Sequence, residues 1–192
     1  LGMCESTDGQ RGWVNVAANG MLPGIVALCA FILQDWTLFY WLFVAAVSVA
    51  AADTWASEFG CLDPRVKLIN NGMIVPPGTN GGTSRLGQWA ALAGSALISL
   101  VALVVGWIPA TGDVKELGFF GAMAAGDWGN GMILALITTA IGWIGCQIDS
   151  ILGAGFENRG LMSKGGVNAA SIAMGVVLTA LIILTFSLVS VT

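Results

Sequence analysis

Five runs of apolar residues, each close to the length that crosses a bilayer, constrain this chain more than any other feature. About 20 mostly apolar residues span the hydrocarbon core, and residues 16–33, 36–52, 86–108, 131–148 and 169–191 each read as such a span. The run at 119–125 is too short to cross and reads as an interfacial or re-entrant piece. Composition agrees: 56% of the 192 residues are hydrophobic and only 9% are charged, against about 25% in soluble domains. So few charges would leave a soluble surface uncovered. The expected fold is all-α, a polytopic membrane bundle of five transmembrane helices, with residues 1–192 forming a single integral membrane domain. The chain opens on Leu1 and a polar stretch, which predicts either the later part of a longer protein or an edited start.

Charge excludes some functions and orients the bundle. Seven Lys and Arg stand against eleven Asp and Glu, with no basic stripe, so no nucleic-acid partner is expected. Histidine is absent, which removes histidine metal ligands and histidine general bases. Cys4, Cys29, Cys61 and Cys146 form no C-x-x-C pair and read as packing residues. With five spans, Arg11, Arg65, Lys67, Arg85, Arg159 and Lys164 fall on one side, and Lys115 falls alone on the other. Positive residues mark the cytoplasmic side, so the amino end and the loops 53–85 and 153–168 are expected there.

The polar clusters converge on that same face. Asp53, Ser57 and Glu58 lie in DTWASEFG at 53–60. On an ideal helix Glu58 sits about 140° around from Asp53, so both acids reach one ion only if the helix unwinds near Gly60. An acid at the centre of a membrane helix costs about 2.5–3.5 kcal/mol; the plain reading is a snorkelling Asp beside a solvated Glu. The functional reading is Mg²⁺, which binds through one or two carboxylates plus substrate phosphates.

A second cluster, PPGTNGGTSR at 76–85, combines two prolines with glycines that tolerate positive φ. It reads as a loop offering backbone N–H groups at the amino end of the third helix, where anions are favoured. Gly78, Thr79, Asn80, Gly81, Gly82, Thr83, Ser84 and Arg85 are the candidate phosphate contacts. The Walker spacing is absent, and a surface connector with a helix cap is the competing reading. Asp149 ends the fourth span, as a second metal ligand or a carboxyl bonded to a neighbouring helix. Lys164 is a phosphate contact or a positive-inside anchor. Asn168 is a further phosphate contact or interhelical glue. Trp13, Trp36, Trp41, Trp89, Trp107 and Trp143 read as interfacial belt and packing, without chemistry.

In order, RGWVNVAANG, DTWASEFG, PPGTNGGTS, DSILGA and SKGGVN resemble the integral-membrane family that includes animal transmembrane protein nineteen and plant phytyl-phosphate kinase. The layout is also similar to that of CTP-dependent polyprenol kinases. The resemblance implies further helices ahead of Arg11 in full-length members. It also implies a membrane kinase that converts an isoprenyl, phytyl-like monophosphate to the diphosphate with Mg²⁺ and CTP or another nucleoside triphosphate. Asp53, Asp149 and Glu58 would then be metal ligands, and Lys164 would act on the phosphates. A lipid-phosphate cytidylyltransferase would use the same groups. A small-solute or ion transporter would need polar residues continuing to the far side, and the third and fifth spans read as nearly unbroken apolar sequence.

Overall fold

A computed structural model describes residues 13–106 and 128–188. It contains helices α1 (Trp13–Leu33), α2 (Trp36–Gly60), α3 (Arg85–Gly106), α4 (Trp128–Leu152) and α5 (Lys164–Phe186). All five include stretches long and apolar enough to cross a membrane, as the sequence predicts. The 119–125 segment, Arg11, Cys4, Trp107 and Lys115 lie outside the described residues.

Side-chain caps set several helix boundaries. Asp35 opens α2 by accepting from the Leu38 amide at 3.1 Å, and Ser163 opens α5 by accepting from the Gly166 amide at 3.2 Å. Ser84 has a double duty: its Oγ accepts from the Gly87 amide at 3.1 Å and donates to the Gly60 carbonyl at 3.0 Å. One hydroxyl thereby ties the start of α3 to the end of α2, satisfying groups that helix ends leave orphaned.

Several boundaries differ from the sequence expectation, two of them on the helices that carry Asp53 and Asp149. α2 runs through Gly60 rather than stopping at Ala52, and α4 runs to Leu152 before a π-helical turn, Gly153–Glu157. Hydropathy ends a span where the first acid appears, but an acid does not break a helix. The loop 53–85 likewise holds more order than expected. Strands β1 (Val66–Leu68), β2 (Ile74–Val75) and β3 (Gly82–Thr83) form an antiparallel sheet in the order β2-β1-β3. Two- and three-residue strands are too short for an alternating pattern to reveal.

α2 is the central helix, packed against all four others, while α1, α5, α4 and α3 follow one another around it. Trp41, Ala45, Ala46, Ser48, Val49 and Ala52 on α2 are fully buried. Small residues permit the approach: a Cβ on Gly142 of α4 would lie 2.5 Å from Ser95 Cβ of α3 and 3.0 Å from Ser48 Cβ of α2. Hydroxyls bond across the same interface. Ser99 and Thr138 meet at 2.8 Å, and Ser48 reaches Ser99 at 3.4 Å. Such polar glue suits helices whose surroundings are already apolar.

Candidate functional site

Helix alternation brings the ends of α2 and α4 and the beginnings of α3 and α5 to one face, under the small sheet. A cavity of about 100 Å³ opens there. Its wall includes Asp53 and Ser57 from α2, Gln88 from α3, Cys146, Asp149 and Ser150 from α4, Glu157 from the π turn and Lys164 from α5. Gly78, Thr79, Asn80, Gly81, Gly82, Thr83 and Ser84 also line it.

The carboxyl groups of Asp53 and Asp149 meet side chain to side chain, and Glu157 lies within electrostatic reach of Asp149. Two apposed carboxylates repel unless a proton or cation stands between them. Ser171 of α5 donates to Asp149 Oδ2 at 3.1 Å. Amide orientation follows from the hydrogen-bond network. In the orientation that satisfies its neighbours, the Asn168 amide nitrogen donates to Asp149 Oδ2 at 3.2 Å and to the Lys164 carbonyl at 3.1 Å, with its oxygen toward the Asn19 side chain at 3.1 Å. α5 thus holds Asp149 in place, and α1 backs that arrangement.

The π turn accounts for Glu157, which sequence reasoning missed. In an unbroken α-helix Glu157 would sit about 80° around from Asp149; the wider turn re-aims the chain. Glu157 Oε1 accepts from Asn80 Nδ2 at 2.9 Å, and Asn158 Nδ2 donates to the Asn80 carbonyl at 3.1 Å. The glycine loop is therefore clamped to the end of α4. Gly81 lies against the same segment at φ +75°, where a Cβ would come within 2.7 Å of the Ser150 carbonyl.

Three predicted residues fall outside the cavity wall. Glu58 is exposed, because α2 stays helical through Gly60 and the unwinding that would have swung it toward Asp53 does not occur. Arg85 opens α3 with its side chain exposed. Asn168 is buried among Asn19, Asp149 and Lys164 rather than lying against the glycine loop. The loop also spends donors on itself: the Thr79 hydroxyl donates to the Pro76 carbonyl at 2.7 Å, and the Gly82 amide donates to the Thr79 carbonyl at 2.8 Å. Thr83 Oγ1 likewise donates to the Lys67 carbonyl at 3.3 Å.

The cysteines divide. Cys29 and Cys146 are free, whereas Cys61 is disulfide-bonded, a state that its spacing gave no reason to expect. Trp143, read as belt, donates through Nε1 to Gln88 Oε1 at 2.9 Å, one residue away from the cavity.

Among the described residues no group of three or more His, Cys, Asp or Glu is placed to hold a metal by protein atoms alone. The Asp53–Asp149 pair does match Mg²⁺, which takes one or two carboxylates and completes its shell with water and substrate phosphate. Phosphate is also suited to the other wall, where Lys164 stands at the amino end of α5 and Ser84 precedes α3, both ends favouring anions.

These features define a polytopic membrane protein with an acid-lined polar cavity at one end of its helices. The chain belongs to the family described as Integral membrane protein DUF92, whose profile matches residues 1–181, so the family resemblance carried by the motifs holds. It is 30% identical over 176 residues to an uncharacterized membrane protein of Methanocaldococcus jannaschii, MJ0933, covering 91% of this chain and 63% of that protein. It is 31% identical over 170 residues to Protein PGR of Arabidopsis thaliana, covering 81% of this chain and 55% of that protein. The chain therefore spans less than two thirds of either relative's length. No solved structure gives a significant match.

Proposed function

We propose that this protein is a membrane kinase that transfers the terminal phosphoryl group of a nucleoside triphosphate, CTP favoured, to an isoprenyl monophosphate. The observation that supports it most is the meeting in one cavity of the Asp53–Asp149 pair, the glycine loop and Lys164, drawn from separate helices. Phosphoryl transfer requires positioning and charge neutralisation more than covalent help from the protein. An oxygen of the acceptor monophosphate attacks the terminal phosphorus, the bond to the bridging oxygen breaks, and nucleoside diphosphate leaves. Because the acceptor is already an anion, no general base is required. Lys164 offsets phosphate charge, the loop 78–84 borders the phosphates, and Asp53 and Asp149 would hold Mg²⁺, which would supply further charge neutralisation. The isoprenoid acceptor follows from the motif resemblance and from the site's place among membrane helices.

The test is the product pair formed from labelled isoprenyl phosphates with CTP, ATP, GTP or UTP. Nucleoside diphosphate with isoprenyl diphosphate is the expected result. Pyrophosphate with a CMP-linked lipid would replace the kinase by a cytidylyltransferase. Neither product, from a folded full-length preparation, would overturn both and leave transport as the better account.

In this proposal the cavity faces the cytoplasm, since six of the seven basic residues fall on its side. Single cysteines at Asn71 and Leu161, both exposed, should be labelled by an impermeant reagent only from the cytoplasmic side, and one at Gly112 only from the other. Reversed labelling would invert the assignment; Asn71 and Gly112 on the same side would remove the five-span topology.

A further inference from the structure

A lipid acceptor must bring its phosphate from the bilayer into the cavity without leaving the membrane, and the walls differ in how they are closed. Between α2 and α3 the backbones themselves touch: a Cβ on Gly60 would lie 3.1 Å from Gly87 Cα. Between the glycine loop and α4 the fit is as tight, with Gly81 against the Ser150 carbonyl. The α4–α5 side is backed by α1 through Asn19 and Asn168.

The seam between α3 and α4 is built differently along its length. Deep in the bundle it is closed by Gly142 against Ser95. At cavity depth it is bridged by long side chains: Gln88 Nε2 donates to Gln147 Oε1 at 2.9 Å. Trp143 Nε1 donates to Gln88 Oε1 at 2.9 Å, and Gln147 Nε2 donates to the Trp143 carbonyl at 3.3 Å. Gln88 lines the cavity, whereas Trp143 is 38% exposed on the outer surface. One hydrogen-bonded chain of three residues therefore runs from the cavity to the outer surface of the described helices.

Depth favours the same route. Gln88 lies one turn inside α3, beside Trp89, which is 70% exposed. Tryptophan belongs at headgroup level, which is also where a membrane lipid carries its phosphate. Separating the two glutamines frees amide donors that a phosphate's oxygens can accept from.

Resting on the kinase reading for the identity of the acceptor, we propose that the α3–α4 seam is the binding surface and entry of a single-chain lipid monophosphate. Gln88 and Gln147 part to receive its head, and Trp143 borders its chain. Photolabelling the full chain in bilayers with a diazirine-bearing isoprenyl monophosphate reads this without turnover. Labels should fall on the outer faces of α3 and α4 around Trp89 and Trp143. Unlabelled isoprenyl monophosphate should suppress them and the parent alcohol should not. Labels on α1 or α5, or equal protection by the alcohol, would overturn the proposal and leave the glutamine bridge as interhelical glue. In turnover, Trp143→Phe should raise the lipid KM at least threefold with the nucleotide KM unchanged; an equal rise in both would count against it. Seam labelling without any nucleotide-dependent product would sink the kinase reading alone, and turnover with labels elsewhere would sink the seam alone.

Discussion

Asp53→Asn and Asp149→Asn should each lower phosphoryl transfer by about two to three orders of magnitude, the scale seen when one preorganised electrostatic contact to a transition state is lost. Each change keeps volume while deleting one of two apposed carboxylates. Their mutual repulsion is thereby relieved, so unfolding in detergent should occur at or above the wild-type temperature. Loss of turnover with stability kept separates a metal-holding role from a structural one. Glu58→Gln should leave turnover near normal, since Glu58 is exposed on a continuous helix. Near-normal turnover of either Asp variant at saturating Mg²⁺ would remove that residue from the proposed metal site.

Gly142→Val should be the most destabilising single change in the bundle core, by about 3 kcal/mol, the upper part of the usual overpacking range. Its first added carbon already falls 2.5 Å from Ser95 Cβ and 3.0 Å from Ser48 Cβ, so α4 has to move away from two helices at once. That movement also strains the Ser99–Thr138 bond. Gly24→Val in α1 is the matched control, because nothing lies within 4 Å of its would-be Cβ. Unfolding by increasing SDS fraction measures both. Equal midpoints for Gly142→Val and wild type would show that this junction is not close-packed.

The fold was legible because bilayer insertion reads a one-dimensional property, the length and apolarity of a segment. The five spans and their alternation follow from that alone, and alternation places 53–60, 76–85, 149–154 and 163–168 at one end of the bundle. Helix ends were less legible, since α2 and α4 run past the acids where hydropathy stops. That difference carries Glu58 away from Asp53.

Which polar residues meet was decided by tertiary packing. Ser48, Ser95, Ser99 and Thr138 are scattered singly through apolar runs and become a hydroxyl cluster only when α2, α3 and α4 pack at small residues. Those hydroxyls are spent on one another and on helix carbonyls, so they glue the interface without forming a lined passage.

The sequence by itself determined a membrane-spanning helical protein with Asp53, Asp149 and its glycine loop on one face, because charge and hydropathy act segment by segment. Only the tertiary structure paired Asp53 with Asp149 and brought Ser171 onto that pair. It also turned Glu157 inward through a π turn, moved Asn168 off the phosphate loop and linked Trp143 to Gln88. Each of those depends on the rotation of one helix about its axis relative to another. That rotation is set by close contacts such as Gly60 on Gly87 and Gly142 on Ser95, which hydropathy along a single chain does not encode.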